Sequence, residues 1–249
     1  VDKYYGYKYD YIMVYFGVGV ARVPEPTPER WDTIPDEVTE GTYLRVYYVT
    51  DESQTKDLSY TVEYYKDNVL VTEDTQVVKN TVQVLQSDTM TVDESQINVE
   101  DKYLGYEFSE LIKVQKTRVP ELEGTENNPI IPDMVNSGTT IQVYYVKRTD
   151  LSYTVNYLEQ DTNKVLYTSK VVNNQTYLSL VTETARSIYG YDFVNETETI
   201  EITTGDNVIN FYYTAKNTFY YVINYRDKAT DMIVESSKVV KNVTYGQTY

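Results

Sequence analysis

Leu151-Ser152-Tyr153-Thr154-Val155-Asn156-Tyr157, answered by Val208-Ile209-Asn210-Phe211-Tyr212-Tyr213 near the close of the same segment, is the stretch that decides the fold. Both runs alternate β-branched or aromatic residues with polar ones, the period of two expected of strands that bury one face. Between them Gln160-Asp161-Thr162-Asn163 reads as a hairpin turn, Lys164 to Val172 as a second strand, and Asn173-Asn174-Gln175 as another turn. Leu180 to Ser187 carries Glu183, Ala185 and Arg186 and is expected to form a short helix, although Val181, Thr182 and Thr184 oppose it. Leu151 to Lys216 is therefore a complete unit of strands and turns.

The rest of the chain repeats that unit. Leu58-Ser59-Tyr60-Thr61-Val62-Glu63-Tyr64 is the same opening phrase, followed by an Asp67-Asn68 turn suited to positive φ and a strand expected from Val69 to Val78. Asp2-Lys3-Tyr4-Tyr5-Gly6-Tyr7 returns as Asp101-Lys102-Tyr103-Leu104-Gly105-Tyr106, and Val46-Tyr47-Tyr48-Val49 returns as Val143-Tyr144-Tyr145-Val146. Thr218-Phe219-Tyr220-Tyr221-Val222 opens another copy, in which Lys238-Val239-Val240 echoes Lys170-Val171-Val172. The expected organisation is a partial repeat over 1–50, a joint at 51–57, a long repeat over 58–147, a joint at 148–150, a short repeat over 151–216 and a further partial repeat over 217–249. Such a pattern is expected of a portion of a longer array, in which 151–216 can fold by itself and the partial repeats cannot. The first two copies carry proline-rich insertions, Pro24 to Pro35 and Pro120 to Pro132, which read as surface loops.

Composition agrees with a mostly β chain. Among 249 residues there are 29 Tyr against five Phe and one Trp, the usage of pleated, half-buried surfaces. There is no Cys and no His, which excludes disulfide staples and thiolate metal sites and removes the commonest neutral-pH base. The formal charge of −16, from 38 acidic and 22 basic residues, repels phosphate backbones and anionic lipid, so neither nucleic acid nor a membrane surface is an expected partner. No apolar run approaches the roughly 18 residues of a spanning helix, so direct membrane insertion of this segment is not expected. Any targeting or anchoring signal is expected outside it.

Five ordered landmarks of the third copy resemble a known family. They are Tyr153-Thr154-Val155-Asn156-Tyr157, the Asp161-Thr162-Asn163-Lys164-Val165-Leu166 hairpin, Lys170-Val171-Val172-Asn173-Asn174-Gln175-Thr176, the Gly190-Tyr191 pair and Asn207-Val208-Ile209-Asn210-Phe211-Tyr212-Tyr213. Together they look like a mucin-binding-protein (MucBP-type) repeat of Gram-positive cell-surface adhesins. The resemblance implies a small β-grasp-like domain, strung in tandem like beads on a secreted, cell-wall-anchored, extracellular protein, with some members binding mucin or other host glycans. The proline insertions and the high tyrosine content depart from the compact family pattern.

Few residues suggest chemistry. Gly17-Val18-Gly19 lacks the following helix and Lys of a phosphate-binding loop and reads as a strand bend. No EF-hand pattern occurs, Asp206-Asn207 reads as a turn, and no cofactor is expected. Glu196 with Glu198, or Glu198 with Glu201, could suggest paired carboxylates, but Glu196-Thr197-Glu198-Thr199 alternates as an exposed strand face does, and a small domain offers no deep glycosidase cleft. An intramolecular Lys–Asn bond of the adhesin type would involve Asn156 or Asn210, but no Lys recurs beside them. The Asn-x-Thr sequences at Asn174, Asn195 and Asn242 suit turn chemistry, two of them falling in the same turn of successive copies.

Candidate contact residues are Tyr103, Tyr106, Tyr189 and Tyr191, which flank the Gly-Tyr turns and could stack on sugar faces, and Trp31 in the first proline insertion. Cross-strand packing is the ordinary alternative use of such rings. Two non-enzymatic readings follow. In one the chain is a stalk or adhesin segment binding host mucin glycans; in the other it is a spacer or self-assembling element whose partners are neighbouring repeats. An adhesive module should expose a recurring aromatic patch, whereas a spacer should bury its tyrosines at joints.

Overall fold

Alternating Tyr, Val and Thr form strands over more than half of the chain. The computed structural model describes residues 4–15, 28–115, 120–125 and 130–248; it is 57% strand and 3% helix, and the described residues form no barrel. The chain divides into two compact units. One draws on Val1–Tyr65, Val69–Asn98 and Ser109–Tyr144, the other on Lys66–Asn68, Val99–Phe108 and Tyr145–Tyr249.

The first unit begins with an antiparallel sheet of β1 (Tyr7–Tyr15), β2 (Glu29–Trp31) and β3 (Tyr43–Thr50), ordered β2-β1-β3. Its two faces differ as the pleat requires. Ile12 and Val14 are buried on one side. On the other, the cross-strand partners Tyr11 and Tyr47 stack at 4.7 Å, Tyr15 and Tyr43 stack at 4.4 Å, and the Arg30 guanidinium lies 4.1 Å from the Tyr11 ring centre.

The following strands are β4 (Thr55–Lys66), β5 (Val69–Leu70), β6 (Gln76–Gln83), β7 (Thr89–Thr91), β8 (Tyr106–Val114), β9 (Glu121–Thr125), β10 (Met134–Asn136) and β11 (Thr140–Lys147). The main sheet runs β5-β4-β11-β8-β9 with β6 also on β4, while β7 and β10 form a separate ribbon. Its core is the inward set of the alternating strands: Tyr60, Val62 and Tyr64 from β4, Leu111 from β8, and Ile141 and Val143 from β11, all at most 1% exposed.

The second unit carries β12 (Leu151–Glu159), β13 (Val165–Gln175), β14 (Leu180–Thr184), β15 (Tyr191–Phe193), β16 (Thr197–Glu201), β17 (Val208–Ala215), β18 (Phe219–Arg226) and β19 (Ile233–Val243). Four strands are ordered β13-β12-β17-β15, with β14 and β16 as a ribbon. This repeats the order β6-β4-β11-β8 and the β7–β10 ribbon. The central pair β12 and β17 is parallel, with Val155 opposite Ile209 and Tyr157 opposite Phe211. Tyr153, Val155, Tyr157, Ile202, Ile209, Phe211 and Tyr213 pack there as one buried cluster. The antiparallel pair β18–β19 forms a sheet by itself.

Local turn chemistry follows the sequence closely. Asp67 and Asn68 have φ of 47° and 66°, and Asp161 and Asn163 have 51° and 54°, the left-handed region that Asn and Asp tolerate. Elsewhere the expectations need correction. Leu180–Thr184 is a strand and not a helix; its β-branched Val181, Thr182 and Thr184 favour the pleat, and Thr182 and Thr199 share a cross-strand hydroxyl bond of 2.8 Å. The strand expected over Val69–Val78 is broken by a 3-10 turn at Thr72–Asp74, because Val71 turns inward and is 6% exposed. The turn expected at Asn173–Gln175 is a left-handed residue, Asn174 at φ 57°, inside a continuous strand. The joint expected over 51–57 is shorter, since β4 already starts at Thr55.

The proline insertions also contain strands. β2 and β9 each pair antiparallel with the strand before them, β1 and β8, at the end of the sheet order. Lys113 on β8 holds Glu121 at 3.0 Å and Glu123 at 2.5 Å on β9, so cross-strand charge recruits part of what the prolines alone would leave as loop. Pro24, Pro26 and Gly17-Val18-Gly19 lie outside the described residues.

Candidate functional site

Three glycines in Gly-Tyr turns share one geometry. Gly6, Gly105 and Gly190 are buried and have φ of 83°, 78° and 85°, a conformation that costs a residue bearing a Cβ about 1–2 kcal/mol. The space where that Cβ would stand is filled: by Leu85 and Val84 at Gly6, by the Tyr177 ring at Gly105 and by the Tyr245 ring at Gly190. Glycine is thus required twice at each turn, for its backbone angle and for the side chain seated against it.

Backbone hydrogen bonds complete each joint. The Gly6 carbonyl accepts the Asp51 N–H at 2.9 Å, and Gln54 three residues on accepts the Val84 N–H at 3.0 Å. At the second joint the Gly105 carbonyl accepts from Arg148 at 3.0 Å, and the Arg148 carbonyl accepts from Tyr177 at 2.9 Å. At the third the Gly190 carbonyl accepts from Lys216 at 2.8 Å, and the Lys216 carbonyl accepts from Tyr245, also at 2.8 Å. The connecting residue therefore grips the turn behind it with its N–H and, with its carbonyl, the seated tyrosine just past the strand ahead. In the first joint the second grip passes to Gln54, whose Oε1 also takes the Gly6 N–H at 2.9 Å.

Four of the five candidate contact residues belong to these joints. Tyr106 stands edge-on to Tyr177 at 5.9 Å. Tyr103 packs edge-on to Tyr145 at 5.1 Å, with the Lys66 ammonium 5.0 Å from its ring centre. Tyr189 and Tyr191 each present an edge to Tyr245 at 5.6 Å, and Phe219 lies 5.4 Å from Tyr245. The Tyr191 hydroxyl donates to Glu159 at 3.3 Å. Burial, then the nearby carboxylate charge, Asp67 for Tyr106 and Glu159 for Tyr191, raises both phenol pKa values.

Tyr103 and Tyr106 are brought together, as are Tyr189 and Tyr191, whereas Trp31 lies in the other unit on β2. It is half-buried opposite Ile12, and its indole N–H donates to Glu29 at 3.3 Å. The residue just before each turn glycine is exposed in all three copies, Tyr5 at 74%, Leu104 at 75% and Tyr189 at 77%, but the second of these is a leucine, so the turns do not present one repeated aromatic platform.

The residues that sequence reading missed are the seated ones, Tyr177 and Tyr245. Their signal was present: both end an Asn-x-Thr-Tyr run, 174–177 and 242–245, with Asn174 and Asn242 at φ 57° and 59°. The left-handed asparagine turns the strand so that the tyrosine three residues later meets the glycine.

Other candidate positions serve local structure. Asn156 and Asn210 sit opposite one another on the parallel pair and hydrogen-bond at 2.9 Å, with Ser169 donating to Asn156. Asn207 is 7% exposed and closes a turn by accepting from Thr203 and donating to the Ser152 and Thr203 carbonyls. Among the described residues no group of three or more Asp and Glu side chains is placed to hold a metal, and no helix is long and apolar enough to cross a membrane.

No family model matches the chain, and no curated protein matches it. Solved structures similar to it include the type 2 repeat of the mucus binding protein MUB from Lactobacillus reuteri, at 11% identity and a TM-score of 0.20 over 64% of this chain and 99% of that one. Another is Mub-RV, at 11% identity and a TM-score of 0.21 over 64% of this chain and 98% of that one. Overlap at that level does not define a shared fold.

Proposed function

We propose that the chain is a non-catalytic segment of an extracellular surface stalk, made of tandem small β-grasp-like repeats at 1–50, 58–147, 151–216 and 217–249, in which the Gly-Tyr turns lock each repeat to the next. The observation that carries this reading is the recurrence of one joint three times, with a positive-φ glycine, a seated apolar side chain and paired backbone hydrogen bonds. Repeats in contact gain stability from their interfaces as well as from their own cores. A spacer uses that coupling, and the tyrosines that could have formed a sugar platform are engaged with rings of their own chain at 5.1–5.9 Å.

The test is made on the whole chain. Tyr177→Ala and Tyr245→Ala should each speed amide exchange at the joint they close, while mucin-column retention stays at background for both variants and the parent. Retention of the parent that is lost in a Tyr189→Ala, Tyr191→Ala double variant would replace the spacer reading with a glycan-binding adhesin.

A further inference from the structure

The first and last strands of the third copy lie side by side in the middle of its sheet. β12 starts at Leu151 and β17 ends at Ala215, and the two run parallel through six partner pairs, from Thr154 with Val208 to Glu159 with Tyr213. The Thr154 N–H donates to the Asn207 carbonyl at one end, and the Gln160 N–H donates to the Tyr213 carbonyl at the other, both at 2.9 Å. Because the strands are parallel, the chain enters this pair at one end of the sheet and leaves it at the opposite end. Tension between those two points draws the strands past one another along their length, so every bond between them carries load at once. A hairpin pulled from its open end gives way one bond at a time instead.

The second copy repeats the arrangement. Its Thr61 N–H donates to Thr139 and its Asp67 N–H to Tyr145, both at 3.0 Å. These bonds lie six residues apart on each strand (61 to 67, 139 to 145), as they do in the third copy (154 to 160, 207 to 213), so β4 and β11 run parallel too. Side chains tie each pair at the same position. The Asn156 amide donates to Asn210 at 2.9 Å, and the Gln142 amide donates to Glu63 at 3.1 Å. Glu63 and Asn156 each hold the sixth place of the shared opening phrase. Two residues further along both strands of the second copy, Tyr65 and Tyr144 stack at 4.7 Å. A hydrogen bond of this kind adds only about 0.5–1.5 kcal/mol to folding. Placed across the loaded pair, it is one more contact that must break together with the rest.

We propose that the parallel first and last strands of each complete repeat form a mechanical clamp, which bears tension along the chain without opening, and that Asn156–Asn210 and Glu63–Gln142 are rungs of it. The chain has no Cys, so tension reaching a repeat is resisted by these bonds and not by a disulfide. The clamp rests on the stalk reading only for the source of the load. It is a property of one repeat and is separate from the joints between repeats.

The absence of Cys also supplies the experiment, since thiol-linked handles attach only where a Cys is introduced. Full chains carrying Asp150→Cys with Lys216→Cys are pulled in optical tweezers so that β12 and β17 shear. Full chains carrying Thr162→Cys with Lys216→Cys are pulled from one end of the same pair, so that it peels. Asp150 and Thr162 are exposed and the Lys216 side chain is 38% exposed, and circular dichroism like the parent's shows that both variants fold. The Lys216 anchor is common to both, so its own contacts cancel in the comparison. At equal loading rate the shear force should exceed the peeling force by about twofold or more, because hydrogen bonds that break together resist more than the same bonds broken singly. Asn210→Ala should lower the shear force and leave the peeling force unchanged. Equal forces, or a higher peeling force, overturn the clamp, and an Asn210→Ala chain that shears at the parent's force overturns the part given to the rung. Either result leaves the joints standing, whereas unchanged amide exchange in the Tyr177→Ala and Tyr245→Ala chains would remove the joints and not the clamp.

Discussion

Phe211 and Val46 occupy the same place in two copies of one strand, yet one is 1% exposed and the other 44%. Their strands alternate alike and both pair with an antiparallel neighbour on one side. What differs is the other side: β17 has β12 running parallel to it, with Tyr153, Val155 and Tyr157 buried against its face. An alternating strand is therefore an offer of a core, and the neighbouring strand decides whether water leaves it.

The sharpest way to break that comparison is truncation at the two positions. Phe211→Ala should cost about 3–5 kcal/mol, the range for emptying a buried aromatic site. Val46→Ala should cost less than about 1 kcal/mol, since little transfer energy is lost from a half-exposed valine. Denaturant unfolding followed by segment-resolved amide exchange would measure both, because a repeat chain need not unfold in one step. Equal costs would mean that β3 is as well covered as β17.

Next in size comes the seated tyrosine. Gly190→Ala meets both a φ of 85° and the Tyr245 ring, whereas Gly246 has a φ of 75° with open space around it. The angle alone should cost about 1–2 kcal/mol at either position, and overpacking at Gly190 should add about 1–3 kcal/mol more. A Gly190→Ala, Tyr245→Ala double variant, which restores the room, should cost less than the sum of the two single variants, as contacting sites do. If the two single glycine variants melt alike, the ring does not seat the joint.

A pH comparison separates the two complete copies. In the third, burial pushes the Glu183 carboxyl up, but Lys170 and the Tyr153 hydroxyl, both at 2.6 Å, outweigh it and hold the pKa below its ordinary 4.5. That contribution to stability is complete above pH 4.5 and is lost as pH falls through the lowered folded value. Tyr153 has the opposite sign. Burial first, then the hydrogen bond to Glu183, raises its pKa from 10.0 to about 12, so its contribution is complete below 10.0 and lost as the pH rises toward 12. Glu183→Gln should flatten the acid limb of the third copy and Tyr153→Phe its alkaline limb. In the second copy the corresponding Tyr60 hydroxyl accepts the Asp93 backbone N–H at 3.1 Å instead, so exchange there should not respond to either variant.

The smallest expected effect tests the asparagine that aims Tyr177. Asn174→Ala at φ 57° should cost about 1 kcal/mol, and Asn174→Gly should be close to neutral in the same melt. A larger loss with glycine than with alanine would show that the side chain, and not the backbone angle, sets the turn.

The parts of this molecule that were readable from sequence are those governed by neighbours in the chain. Alternation at Tyr60-Thr61-Val62-Glu63-Tyr64 specifies which side chains face inward, and Asp67-Asn68 specifies a turn through backbone sterics. What misled the reading was chosen at a distance. Leu180–Thr184 pairs with Thr197–Glu201, and Glu121–Thr125 pairs with Tyr106–Val114, so a helix-compatible segment and a proline-flanked one both become strands. The contact candidates were half readable: Gly105-Tyr106 and Gly190-Tyr191 announce turns, but Tyr177 and Tyr245, which fill them, lie 72 and 55 positions further along the chain (105 to 177, 190 to 245).

The sequence by itself determined the strand-rich class, the repeat, the hairpin turns and the inward face of each strand, because φ/ψ sterics and a two-residue period act within a few bonds. Only the tertiary structure decided which of those faces became core, which glycines became sockets and which proline-flanked residues joined a sheet. Those outcomes depend on a second surface arriving from elsewhere in the chain to exclude water, and no local pattern carries that information.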